Sequence, residues 1–424
     1  MLIEFSVENF RSIKELATLS MVANNHIKKN MGNTIKSNYC NLLKTAAIYG
    51  ANASGKSNIL KAMIFAAGFV INSSKDSQVN EPTGVEPFLL STETVDLPST
   101  FQFVFLHENI KYRYGFSLNG TKIVEEWLYR TDGNKEEMLF ERNNQDIQID
   151  ENKFQEGLSI SDKTRENALF LSVVANFNGQ ISGKVIRWFL AKLVVLVSEL
   201  PNGVTSRILK QQKFKDEFIK IFKKLDLFIE DIKFEKINVD ELPEHIQKYV
   251  KKQSQNGENF ELPPLIKTFH KQFDSQKKYV QMIEFDFEDQ ESIGTRRLYS
   301  VLGPILEALY NGSVLAIDEL EIKLHPLIVK FLIELFNSKK YNKFGAQMIF
   351  TTHDVNILDN ELLRKDQIWF TQKDLYGATT LYSLNDYSGV RNCDARFNKS
   401  YLAGLYGGIP LLINNDFFVE NCKG

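Results

Sequence analysis

One eight-residue stretch constrains this chain more than any other: Gly50-Ala-Asn-Ala-Ser-Gly-Lys-Ser57, which meets the pattern Gly-x-x-x-x-Gly-Lys-Ser at each fixed position. An apolar run at 45–49 leads into it. Residues 57–71 follow without a proline and carry Ile59, Leu60, Met63 and Ile64 at helical spacing. Strand, glycine turn and helix in that order are what a phosphate-binding loop requires. Glycines let successive backbone N–H groups curl around an anion without Cβ clashes, and the helix start adds the positive end of its dipole. Gly50, Asn52, Ala53, Ser54, Gly55 and Asn58 would frame the cradle. Lys56 would reach the β- and γ-phosphates, and the Ser57 hydroxyl would ligate magnesium. ATP and Mg2+ are the expected ligands.

Three later segments fit the same chemistry. Val314-Leu-Ala-Ile-Asp318-Glu319 is an apolar strand ending in two acids. Beside a phosphate loop, Asp318 is expected on the metal side and Glu319 as general base; alone, the pair would read as two surface acids. Met348-Ile-Phe-Thr-Thr-His353 places a histidine just past a strand end, the edge where open parallel sheets bind ligands. Glu291-Ser292-Ile-Gly294-Thr295-Arg-Arg297 precedes a helix expected to run to about Leu309. Ser292 and Gly294 offer a hydroxyl and an N–H to a phosphate, or they simply cap a helix whose arginines face solvent. Gln102 is the candidate for a magnesium-binding glutamine.

The remainder of the 424 residues sets the frame for these motifs. Apolar residues make up 43%, enough to bury substantial cores. Fifty-one basic and 53 acidic side chains give a net charge of −2, which argues against nonspecific coating of nucleic acid. Cys40, Cys393 and Cys422 are scattered, as expected of a chain from a reducing cytosol. No apolar run approaches the roughly 20 residues of a membrane span, and 185–200 reads as a buried helix. Short alternating strands at 101–129, with an Asn119-Gly120 turn, predict an antiparallel sheet. Residues 150–285 read as mostly helical, with loops at 201–203 and 253–258. Strands and helices alternate again from 286, the signature of a parallel sheet covered on both faces. The expected division is 1–135, an inserted helical region 136–285, and 286–424.

Taken in order, these elements resemble ABC-type ATPase heads, a class that includes the SMC proteins. Asp318 lies 262 residues after Lys56, so the resemblance requires a large helical insertion. The opening Met1-Leu-Ile-Glu-Phe-Ser-Val-Glu-Asn-Phe-Arg-Ser12, the stretch Asn167-Ala-Leu-Phe-Leu-Ser172 and the closing Tyr406-Gly-Gly-Ile-Pro410 are similar to the AAA15 group, which includes ATPase subunits of AbiL-type abortive-infection and RloA-like systems. The resemblance implies a P-loop head of mostly parallel sheet with an antiparallel β-subdomain. It also implies ATP held between two copies in a homodimer or higher oligomer. Ser292, Gly294 and Thr295 would act in trans, and His353 would serve as the switch histidine. The implied role is a cytoplasmic antiphage sensor that controls a separate effector such as a Toprim-like nuclease, triggered by DNA or a phage protein. A RecF- or SMC-like role in DNA repair is the alternative. Ser-Ile-Gly-Thr departs from the usual Ser-Gly-Gly-Gln.

Overall fold

The computed structural model describes residues 1–75, 81–197, 202–225, 227–239, 242–245, 247–248, 250, 262–387, 390 and 396–410. Cys393, Cys422, Pro201 and the loop expected at 253–258 lie outside them. The chain divides into two compact units. The first holds Met1–Val197, Gly312–Leu320 and Lys330–Gly424; the second holds Ser198–Asn311 and Glu321–Val329. Residues 136–197, expected with the insertion, thus belong to the first unit.

In chain order, the first unit opens with β1 (Leu2–Glu8), β2 (Ala17–Ser20), β3 (Thr34–Lys36), β4 (Asn41–Leu43) and β5 (Thr45–Gly50). Past the helix Lys56–Asn72 come β6 (Ser99–His107), β7 (Ile110–Leu118), β8 (Ile123–Asp132), β9 (Lys135–Asn143), β10 (Asp146–Ile149) and β11 (Leu193–Leu196). The second unit supplies β12 (Asp231–Glu235), β13 (Leu265–Phe273) and β14 (Tyr279–Asp286). The first unit then resumes with β15 (Val314–Ile317), β16 (Gln347–Thr351), β17 (Ile368–Lys373) and β18 (Thr379–Ser383).

Two large sheets build the first unit, beside the small antiparallel pair β3-β4. One has the order β11-β15-β16-β5-β17-β18, parallel except for the β17–β18 hairpin. Every residue of β5, β15 and β16 is buried, as a parallel sheet covered on both faces demands. The helix Lys56–Asn72 docks through Ile59, Leu60, Met63, Ala66 and Val70. The other sheet is antiparallel, in the order β10-β9-β8-β7-β6-β1-β2. Its inner face carries Phe101, Phe103, Phe105 and Phe116, and Phe105 stacks on Trp188 at 4.0 Å between ring centroids. Rings of this size supply most of the burial energy, about 3–5 kcal/mol for each one deleted. The Gln347 side chain ties the sheets together: it accepts from Leu2 N at 2.6 Å and donates to the carbonyls of Leu2 (3.0 Å) and Leu43 (3.1 Å).

The expected hairpin at Asn119-Gly120 is present. Asn119 Oδ1 accepts from the backbone N–H groups of Thr121 and Lys122, at 3.1 and 3.0 Å. Two expectations need correction. The helix expected at 185–200 ends at Lys192, and Leu193-Val-Val-Leu196 becomes β11 on the edge of the parallel sheet. Its central β-branched pair suits a strand better than a continuing helix. The middle region is also not mainly helical. Its described residues combine the helices Phe170–Asn176, Gln180–Lys192, Asn202–Leu209 and Gln212–Lys224 with strands, among them a three-stranded antiparallel sheet, β12-β13-β14. Alternation of Ile266, Thr268 and His270 against Lys267, Phe269 and Lys271 is the period-two pattern behind β13.

Candidate nucleotide site

The glycine-rich loop leaves β5 and turns into the helix Lys56–Asn72. Gly55 has φ +103° and Ala53 has φ +61°, so the loop reverses through left-handed backbone twice. A Cβ on Gly55 would collide with the Thr379 side chain, and one on Gly50 would lie 2.5 Å from both Ser54 Oγ and Thr371 Oγ1. The loop is therefore moulded against the β17–β18 hairpin. Ser54 Oγ and Thr371 Oγ1 share a hydrogen bond of 2.6 Å, and Thr379 Oγ1 donates to the Ser54 carbonyl at 2.9 Å. Ser12 Oγ meets Thr379 Oγ1 at 2.8 Å and accepts from Asn58 Nδ2 at 2.6 Å. The buried Lys56 donates from Nζ to the carbonyls of Gly50 (2.9 Å) and Ala51 (3.0 Å), so its ammonium sits over the loop itself.

Neighbouring strand ends bring the acids and the histidine to the same edge. β15 delivers Asp318 and Glu319, and β16 delivers Thr351 and then His353. Thr351 organises the acid pair: its hydroxyl donates to Asp318 Oδ1 at 2.6 Å and accepts from Glu319 N at 2.7 Å. Glu319 has φ +49°, a left-handed conformation that a glutamate adopts only where its surroundings hold it. Leu320 N donates to the Thr351 carbonyl at 3.2 Å and closes this turn. On the other strand, Thr352 N donates to the Ile48 carbonyl at 3.1 Å, and Thr352 Oγ1 accepts from Asp354 N at 3.0 Å. His353 is thereby fixed between two anchored neighbours.

A cavity of about 450 Å³ results, lined by Asn52 to Asn58 together with Lys61, Glu319, His353 and Lys373. Its size suits a nucleotide-sized ligand, and all of its lining comes from the first unit. The donors also fit magnesium, which favours one or two protein oxygens plus phosphate oxygens and water over an all-protein cage. Ser57 Oγ and the Asp318 carboxylate are the groups that would hold it. Among the described residues no cluster of three or more His, Cys, Asp or Glu side chains forms a self-sufficient metal site. Bound there, magnesium would neutralise phosphate charge as it develops.

Gln102 is not part of this arrangement. It lies in β6, and its Oε1 accepts from Trp127 Nε1 at 3.0 Å within the antiparallel sheet. Its place in a strand paired on both sides keeps it with that sheet.

Ser292, Gly294 and Thr295 lie in the second unit, at the start of the helix Ile293–Asn311. Ser292 Oγ caps that helix, accepting from Thr295 N at 3.1 Å and pairing with Thr295 Oγ1 at 2.8 Å. Gly294 is there for space, since a Cβ would come within 3.0 Å of the Lys323 carbonyl. Sequence reasoning missed Ser12, Thr351, Thr371 and Thr379, which shape the cradle and the acid turn. Isolated hydroxyls have no spacing that marks them.

Among the described residues no helix is long and apolar enough to cross a membrane. A search of curated proteins finds no match to the chain. A scan of protein families matches residues 46–359 to the family described as "AAA domain, putative AbiEii toxin, Type IV TA system". That span starts within β5, before the phosphate loop, and ends just beyond His353, so it takes in every motif of the cavity and the second unit as well. With the match covering well over half of its 424 residues, the chain belongs to this family of AAA-domain P-loop ATPases.

Proposed function

We propose that this chain is the ATP-hydrolysing switch of a bacterial antiphage system of the AAA15 group, acting on a separate effector. One observation carries the catalytic part: Lys56, Ser57, Glu319 and His353, from three adjacent strand ends, line a single cavity. ATP binds with its β- and γ-phosphates over the loop N–H groups and Lys56. Glu319 accepts a proton from the attacking water, the bond from the γ-phosphorus to the bridging oxygen breaks, and ADP and phosphate leave. His353 hydrogen-bonds the γ-phosphate and reports its presence.

A second copy completes the site through Ser292, Gly294 and Thr295, so that ATP bridges a homodimer. The family's link to toxin–antitoxin systems supports a defence role. The effector, by resemblance a Toprim-like nuclease, would be held or released according to whether the dimer is closed.

Glu319→Gln tests the assembly directly. Light scattering in the presence of ATP should show this variant trapped as a dimer, because ATP is bound and not consumed. A variant that binds ATP and stays monomeric rules out the bridged dimer; a wild-type protein that binds no ATP rules out the whole reading.

A further inference from the structure

Two lysines outside the familiar motif line the cavity, Lys61 and Lys373. Lys373 ends β17 and pairs across the hairpin with Thr379, while Thr371 pairs with Leu381. Residues two apart on a strand, and residues paired across a ladder, point to the same face. Thr371, Lys373 and Thr379 therefore share one face of the hairpin, and both threonines reach Ser54 of the loop from it. Lys373 is exposed, and among the described residues neither it nor Lys61 is joined to an acid.

Strand order then says which part of a bound nucleotide lies near it. β15 and β16, which carry Glu319 and His353, are on one side of β5; β17 is on the other. The bond that breaks must lie toward Glu319, so the phosphate chain runs from there across the loop toward β17. The loop carries Lys56 for the β- and γ-phosphates. The geometry points to Lys373 as a second nucleotide-binding cation, which pairs with the α-phosphate on the side of the loop away from Glu319 and His353. This assignment rests on the reading of the cavity as an ATP site. It gives the β17–β18 hairpin two tasks, bracing the loop through its threonines and gripping the nucleoside end of the ligand through its lysine. Because the α-phosphate does not change charge in the reaction, the contact is made equally with substrate and product. It acts on affinity rather than on the chemical step.

Equilibrium binding of ATP and of ADP to Lys373→Met, Lys373→Arg and Lys56→Ala tests this. Removing the charge should weaken ATP and ADP by the same factor, about tenfold. KM for ATP should rise by a similar factor, with kcat altered by less than about threefold, and the arginine variant should recover most of the loss. Unchanged affinity in Lys373→Met overturns the assignment. So does a loss for ATP without one for ADP, which would place the lysine at the γ-phosphate. If the wild type binds and Lys56→Ala does not, an unaffected Lys373→Met sinks this inference alone; a wild type that binds neither nucleotide sinks the ATP site and this inference together.

Discussion

The two units use the same kinds of polar residue in opposite ways. In the first, side chains at the ends of β5, β15 and β16 face a shared cavity, and threonines behind it brace the acid turn and the glycine loop. In the second, Ser292 and Thr295 satisfy each other and the helix that they begin. A buried parallel sheet leaves its strand ends as the place where backbone and side chains must find other partners, which makes that edge a natural ligand site. A helix cap is already complete. The contrast implies that the first unit is preorganised for its ligand, while Ser292, if it reaches a phosphate as proposed, would first have to give up an internal hydrogen bond.

The strongest challenge to that contrast is Glu319→Gln. Loss of a positioned general base should lower the ATP hydrolysis rate by about 10²–10⁴-fold with ATP affinity retained; a phosphate-release assay that finds normal turnover would place the base elsewhere. Next in size is the buried pair that anchors the antiparallel sheet. Glu126 accepts from Phe170 N (2.7 Å) and Leu171 N (3.0 Å). Arg142, 3.7 Å from Glu126, donates to the Ala168 carbonyl at 2.7 Å.

Arg142→Met should destabilise the first unit by about 3–5 kcal/mol in urea unfolding, because it leaves a buried carboxylate without its cation. Burial already raises the Glu126 pKa above the usual carboxylate range, with Arg142 opposing that shift. The folded chain thus holds this proton more tightly than the unfolded one, so Glu126 lowers stability as pH rises through the interval between the two values. Removing Arg142 widens the interval, and the penalty should be larger at about pH 8 than at about pH 5. A penalty that does not vary with pH would mean that Glu126 is not the group responsible.

Smaller effects sharpen the comparison. Thr351→Val deletes the hydroxyl that positions Asp318 and Glu319, and kcat should fall about tenfold alongside a loss of about 1–3 kcal/mol of stability. A shift in melting temperature without a change in kcat would make Thr351 purely structural. Ser292→Ala removes a helix cap worth about 1 kcal/mol. If the serine also reaches ATP on a neighbouring copy, hydrolysis at saturating ATP should drop by more than that loss of stability explains. A variant that merely melts a few degrees earlier leaves Ser292 as a cap and nothing more.

Much of the first unit could be read in advance. Glycine spacing located the loop because few residue types tolerate its backbone, and Asp318-Glu319 and His353 stood out as polar endings on apolar strands. What escaped notice had physical reasons. Leu193-Val-Val-Leu196 is short, apolar and directly continuous with a helix, so periodicity alone could not separate it. The strands β12 to β14 are largely half-exposed, and β14 carries Tyr279, Val280 and Met282 at exposed positions, which blurs the alternation that marks a sheet. Threonines that brace the loop lie more than 300 residues away from it in the chain, and only the folded sheet makes them neighbours.

That separation has a consequence for biosynthesis. Gly50 emerges early, but Thr371 and Thr379 follow only after some 320 further residues, and the glycine turn at Gly408, whose Cβ position lies 3.7 Å from Gly50 Cα, comes later still. At ordinary elongation rates of roughly 5–20 residues per second the loop waits for about 15–65 s without its scaffold. Throughout that interval a nascent chain lacks the threonines that brace the cradle, so a ribosome-bound fragment should grip nucleotide poorly.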